Sequence, residues 1–98
     1  MPKGYMVFTE DIHDVAGMAA YAQASAKTLA GVRVLVVDAH PQVMEGEWHG
    51  DRTVILEFAS VEAARAWYDS PAYREALPLR QAAARSNAVI LTGFELPE

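Results

Sequence analysis

Three of the four predicted strands carry apolar side chains on both faces, and this pattern most constrains how the chain folds. The strand Thr53–Phe58 places Leu56 on one face and Ile55 on the other. The strands Val32–Val37 and Val89–Glu95 share this pattern. An antiparallel sheet in a monomer normally turns one polar face to water. Helices can cover one apolar face, so we predict that the same sheet of a second copy covers the other.

The predicted elements follow the order βαββαβ. The strands are Lys3–Thr9, Val32–Val37, Thr53–Phe58 and Val89–Glu95, with Gln42–Glu47 extending the second strand past a bend. The helical segments begin at Asp14, Ser60 and Ser70-Pro71, the first stops at Gly31, and the last reaches about Arg85, with a kink or break at Pro78. Four antiparallel strands with the helices on one face form the ferredoxin-like α+β fold.

Size and charge restrict the class of protein. The 98 residues fit one domain, residues 1–98, and a chain this short gains burial by self-association. Eight basic residues against 13 acidic ones, with no basic cluster, argue against nucleic acid as a partner. The chain has no cysteine, so it has no disulfide and no thiolate nucleophile. We expect a cytoplasmic protein, because neither a signal peptide nor a membrane span of roughly 20 apolar residues is recognisable.

Glu57 is the sharpest candidate for chemistry, because it is an ionisable residue within an apolar strand. A carboxylate in a partly desolvated pocket can act as general acid or base near neutral pH. We expect it to face a cavity between the sheet and the second helix, within reach of Tyr68, Tyr73 or Arg80. The alternative is a structural ion pair with an arginine such as Arg80 or Arg52, or a place near water at the end of the strand.

Five further residues are candidate site residues. Tyr68 and Tyr73 can orient a ligand or donate to a developing oxyanion, or pack in the core with the hydroxyl at the rim. Arg80 can clamp a carboxylate through its planar fork, or pair with an acidic neighbour. His13 and His40 are candidate ligand contacts or general bases, with solvated loop positions as the alternative. The histidines lack the spacing of metal ligands, so we expect no metal site.

The block Trp67-Tyr68-Asp69-Ser70-Pro71, together with the segments Lys3-Gly4-Tyr5 and Ile55-Leu56-Glu57-Phe58, resembles a known family. This is the bacterial family called domain of unknown function 1330, in the dimeric α+β barrel superfamily. The resemblance covers nearly the whole chain and implies the ferredoxin-like fold and a homodimer. Members typically carry Arg-Gly-Gly where this chain has Val37-Asp38-Ala39, and this departure favours an altered ligand specificity.

Two functions remain open at this point. The first is a small-molecule enzyme of the dimeric barrel type, with cofactor-free acid/base chemistry on a compact, partly apolar substrate in a pocket between sheet and helices. Glu57 and Tyr68 are then the catalytic residues, and Tyr73 and Arg80 position the substrate. The second is a non-catalytic homodimer, ligand-binding or stress-associated, that uses the same pocket. The same side chains serve either function.

Overall fold

The computed structural model describes residues 1–97, which form four strands and three α-helices. In chain order these are β1 Gly4–Ile12, α1 Val15–Ala26, β2 Arg33–Asp38, β3 Arg52–Phe58, α2 Val61–Tyr68, α3 Pro71–Ala83 and β4 Ala84–Thr92, with a 3₁₀ turn at Lys27–Leu29. The strands form one antiparallel sheet in the order β2-β3-β1-β4. The predicted ferredoxin-like α+β fold is confirmed. No helix within residues 1–97 has the length and apolar content needed to cross a membrane.

The helices start at the predicted caps. The side chains of Asp14, Ser60 and Ser70 each accept a hydrogen bond from the backbone N–H three residues further on, at 3.0, 3.0 and 3.2 Å. The Ser70 hydroxyl also donates to the carbonyl of Trp67 at 2.8 Å. Ser70 therefore joins the end of α2 to the start of α3.

Ser70→Ala is expected to lower the free energy of unfolding by about 1 kcal/mol, because the first turn of α3 loses its cap. Chemical denaturation measures the change. Ser86→Ala is the matched control, since the Ser86 hydroxyl has no hydrogen-bond partner within residues 1–97 and nothing is lost with it. A Ser70→Ala protein as stable as the parent would contradict the capping role.

The boundaries of β1 and β4 differ most from the prediction, and β4 ends at Thr92 instead of Glu95. Strand β1 continues past Thr9 to Ile12, and β4 begins at Ala84 instead of Val89. The two extensions pair with each other, with Ile12 opposite Ala84. The alanine-rich sequence before Val89 favours a helix locally, but the ladder and the burial of Ala84 outweigh that propensity. As a result Glu10 lies inside β1 and not in a connecting loop.

Helix α3 does not break at Pro78, which is exposed inside a helix that continues to Ala83, and a kink at Pro78 stays a prediction. The predicted extension of the second strand is wrong. The segment Gln42–Glu47 forms no strand and is part of a loop that follows Pro41, a residue without a backbone N–H for a ladder.

A β-bulge in β2 reverses the alternation of its side chains. Val34 lies opposite Leu56 and Val36 opposite Ile55, which leaves Leu35 as the extra residue. Strict alternation places Val34 and Val36 on one face, and that assignment is wrong. Beyond the bulge Val36 shares the face of Ile55.

The sheet has two different faces. The inner face is covered by the helices and carries the core side chains Met6, Phe8, Leu56 and Phe58. The outer face carries Tyr5, Val7, Val36, Ile55, Val89 and Leu91, and no helix within residues 1–97 covers it. Val36, Val89 and Leu91 are 36%, 48% and 51% exposed. The predicted two-sided apolar sheet is confirmed, and one of its faces is open.

Candidate functional site

A cavity of about 260 Å³ lies between the inner face of the sheet and α1, and we call it the inner cavity. Most of its wall is apolar and is formed by Phe8, Leu29, Val34, Val37, Val54, Leu56 and Trp67. Helix α1 contributes the small residues Ala22 and Ala26, which leave room for the cavity. The polar groups in the wall are Glu10, Tyr21, Ser25 and Arg52. An apolar wall with a few convergent polar groups is typical of small-molecule sites.

Glu10 is a buried carboxylate in this wall, with 1% of its surface exposed. Strand alternation places it on the inner face after Met6 and Phe8. Arg52 lies directly opposite Glu10 on the neighbouring strand β3, and its Nε donates to Oε1 of Glu10 at 2.8 Å. Within residues 1–97 the second oxygen, Oε2, receives no hydrogen bond. The carboxylate is thus fixed through one oxygen, and the other can act on a molecule in the inner cavity.

A chain of hydrogen bonds leads away from the inner cavity through Tyr21. The hydroxyls of Tyr21 and Tyr73 are 2.8 Å apart, and Arg80 donates from Nε to the Tyr73 hydroxyl at 3.3 Å. Burial raises the pKa of Tyr21 above 10.0, and the neighbouring Tyr73 raises it further. Tyr21 therefore stays protonated at neutral pH and can donate a hydrogen bond.

Glu57 lies on the outer face, so its predicted place beside Tyr68, Tyr73 and Arg80 is wrong. Its Oε2 accepts from the Tyr5 hydroxyl at 3.1 Å, and its Oε1 lies 3.7 Å from Nη1 of Arg33. The reason is the alternation of β3, which buries Leu56 and Phe58 on either side of Glu57. The alternative prediction of a structural ion pair with an arginine agrees with this contact, although the partner is Arg33 instead of Arg80 or Arg52.

The other predicted site residues fall into two groups. The rings of Tyr68 and Tyr73 pack at a tilt with their centroids 5.6 Å apart, and Arg80 donates a hydrogen bond to Tyr73, so the structure brings these three together. His13 and His40 are exposed in connecting loops, and neither lines the inner cavity. Within residues 1–97 no three histidine, aspartate or glutamate side chains are grouped closely enough to hold a metal ion.

Sequence reasoning missed Glu10, Tyr21 and Arg52 as site residues. A usable signal exists for Glu10, because the alternation of Met6 and Phe8 continues to it at the spacing of a strand. Ending β1 at Thr9 hid that signal. Arg52 follows from Glu10, because the two are paired across the ladder. No local pattern distinguishes Tyr21 from an ordinary core tyrosine.

We expect the folded protein to lose stability at alkaline pH because two of its tyrosines have raised pKa values. The hydrogen bond to Glu57 and burial raise the pKa of Tyr5 above 10.0, and that of Tyr21 is also raised. The folded protein therefore holds these protons more tightly than the unfolded chain. The resulting stability is complete below pH 10 and is lost as the pH rises through the raised values.

Absorbance at 295 nm and denaturation between pH 8 and about pH 11 measure this effect. We expect fewer than the four tyrosines to ionise near pH 10 in the folded protein. Replacing Tyr5 and Tyr21 together by phenylalanine should flatten the alkaline decline in stability. Ionisation of all four tyrosines in one step near pH 10, with the fold intact, would contradict the predicted rise in the pKa values of Tyr5 and Tyr21.

Several solved structures resemble this chain. The RPA0582 protein of unknown function from Rhodopseudomonas palustris is 24% identical, with 97% of this chain and 85% of that chain covered and a TM-score of 0.78. A dimeric ferredoxin-like protein of unknown function from Thermobifida fusca is 16% identical, with coverages of 93% and 91% and a TM-score of 0.62. SnoaB, a cofactor-independent oxygenase from Streptomyces nogalater, is 16% identical over 100% of both chains, with a TM-score of 0.68.

At these identities the structural likeness shows the fold. Among curated proteins, a sequence search finds no match. The family model described as domain of unknown function (DUF1330) matches residues 3–94. The match covers nearly the whole chain, and the protein therefore belongs to the DUF1330 family.

Proposed function

We propose that this protein is a small-molecule enzyme that performs cofactor-free acid/base chemistry on a compact, partly apolar substrate in the inner cavity. The observation that carries the proposal is Glu10, a buried carboxylate in the wall of the inner cavity with one oxygen held by Arg52. A positioned carboxylate of this kind accelerates proton transfer by roughly 10²–10⁴-fold. The geometry favours Glu10 over Glu57, because Glu57 lies on the other side of the sheet.

In the proposed mechanism Oε2 of Glu10 takes a proton from a C–H or O–H group of the substrate. Arg52 keeps the carboxylate oriented through Oε1. Arg80 donates a hydrogen bond to the Tyr73 hydroxyl. When the Tyr73 hydroxyl donates to the Tyr21 hydroxyl, Tyr21 can donate its own proton to an oxygen of the substrate. A donor at that point stabilises the negative charge that develops as the proton leaves.

The size of the inner cavity limits the substrate. A volume of about 260 Å³ lies just below the roughly 300–1,000 Å³ usual for ligand pockets, so a compact molecule is required. SnoaB has the same fold and is a cofactor-independent oxygenase. By analogy of fold alone, that supports chemistry without a cofactor in this architecture.

We infer that the working form is a homodimer in which two outer faces pack together. A monomer of 10.7 kDa is expected to expose about 5,500 Å², whereas this chain exposes 6522 Å². Apolar side chains on the outer face contribute to this additional exposed area. The ferredoxin-like protein from Thermobifida fusca is described as dimeric, which supports a homodimer in this fold.

A non-catalytic ligand-binding homodimer is the second candidate. The Arg52 contact favours it, because an ion pair can also serve only to neutralise a buried carboxylate. The mostly apolar wall would then bind a ligand without transforming it.

Exchange of substrate protons tests the proposal. Compact ketones, 1,3-dicarbonyl compounds and phenols are incubated with the protein in D₂O, and NMR follows deuterium incorporation at carbon. We expect accelerated exchange for at least one class. Ala26→Phe places an aromatic ring at the exposed side of the inner cavity and should suppress the exchange, whereas Ala20→Phe, exposed elsewhere on α1, should not.

The same experiment distinguishes the enzyme from the non-catalytic ligand-binding homodimer. Binding without exchange for every compound would favour the non-catalytic homodimer. Exchange that Ala26→Phe leaves unchanged would show that the inner cavity is not the site.

A further inference from the structure

A second opening lies at the β4 edge of the inner face, between α3 and β4, and we call it the β4 cleft. Its volume is about 480 Å³. The polar side chains that line the β4 cleft are those of Tyr68, Arg80, Gln81, Arg85 and Ser86. It shares no lining residue with the inner cavity, so it is a separate site.

Arg80 is a buried cation in the wall of the β4 cleft, with 3% of its surface exposed. Its guanidinium lies 4.9 Å from the ring centroid of Phe8, and its Nε donates to Tyr73. No aspartate or glutamate within residues 1–97 forms an ion pair with it. A buried charge without a counter-ion is costly, and the terminal guanidinium nitrogens still have donors to offer.

Ser86 adds a second unpaired group in the same wall. Its Oγ is buried and has no hydrogen-bond partner in the described part of the chain. Buried hydroxyls in proteins nearly always have a partner. Ser86 lies opposite Glu10 across the ladder, but that carboxylate is already bound by Arg52. The positive charge of Arg52 offsets the negative charge of Glu10 and so reduces its repulsion of an anion in the β4 cleft.

We propose that the β4 cleft binds the carboxylate of a small organic acid. The fork of Arg80 takes the two carboxylate oxygens, and the buried Ser86 hydroxyl turns toward the β4 cleft and donates to one of them. Arg85 adds positive charge at the cleft, and Tyr68 with Ala88 offers an apolar surface to the organic part of the ligand. The assignment goes beyond the chemistry proposed for the inner cavity and does not depend on it.

NMR titration of the ¹⁵N-labelled full chain tests the assignment. Sodium benzoate and sodium phosphate are each compared with sodium chloride at equal ionic strength. We expect benzoate to shift the Arg80 Nε–H and Ser86 amide signals saturably, and chloride to leave them in place. Tighter binding of phosphate than of benzoate would overturn the carboxylate assignment.

Ser86→Ala is the decisive variant, because the hydroxyl has no partner to lose on folding. We expect it to weaken benzoate binding by about 3- to 10-fold with stability retained. Arg80→Lys should weaken binding further, and Ser86→Ala decides the question if Arg80→Lys does not fold. Arg33→Lys is the control, because Arg33 pairs with Glu57 on the outer face of the sheet, and this variant should bind like the parent. Equal affinity of Ser86→Ala and the parent, or shifts confined to exposed arginines, would overturn the proposal.

Discussion

Glu10→Gln is expected to slow substrate proton exchange by about 10²–10⁴-fold while the fold and ligand binding persist. The amide oxygen still accepts the hydrogen bond from Arg52, but the amide cannot take up a proton. Arg52 is 27% exposed, so its charge remains solvated when Gln replaces Glu10. The rate of deuterium incorporation measures the effect, and denaturation confirms that the variant is folded.

Glu57→Gln is the matched comparison, because it makes the same chemical change on the opposite face of the sheet. Its exchange rate is expected to stay within a few-fold of the parent. A full rate for Glu10→Gln, or a large loss confined to Glu57→Gln, would remove the principal residue from the proposed mechanism. The second of these results would return the acid/base role to the outer face, where Glu57 is bonded to Tyr5.

Ile55→Glu is expected to convert the protein from a dimer to a monomer at micromolar concentration. Ile55 lies on the outer face between Val7 and Val36. A buried charge without a partner costs roughly 3–5 kcal/mol, and a two-fold interface contains the substitution twice. The dissociation constant should therefore rise by at least about 100-fold.

Sedimentation or light scattering at several concentrations measures this change. Ala20→Glu places the same charge on the exposed side of α1 and is expected to leave the assembly intact. A parent protein that is monomeric at micromolar concentration, or a dimer unaffected by Ile55→Glu, would contradict packing through the outer face.

The fold follows from local patterns that carry their own physical cause. Ser60 and Ser70 are recognisable as caps because their hydroxyls bond to backbone groups only three residues away. The two apolar faces of β3 are also visible in the sequence, because alternation depends on nothing beyond the strand itself. Local patterns of these two kinds, taken along the whole chain, predict the order of elements and the open outer face.

The local alternation of β1 indicates the face on which Glu10 lies, but the burial and the partners of the site residues depend on long-range pairing. Glu10 is buried because β1 continues beside the early part of β4, whose sequence favours a helix. The bulge at Leu35 likewise arises from the fit of β2 to β3. Tyr73 and Arg80 were recognised as candidates, but their partner Tyr21 comes from a helix 52 residues away from Tyr73.

The two tryptophans lie on opposite sides of the sheet, and this makes the chain its own optical reporter. Trp67 is part of the wall of the inner cavity and donates from its indole to the carbonyl of Thr28 at 3.0 Å. Trp48 is 52% exposed and donates to the Thr53 hydroxyl on the outer side. Fluorescence of Trp48→Phe would follow ligands in the inner cavity, and that of Trp67→Phe would follow subunit association. Binding and assembly can thus be observed separately without an added dye.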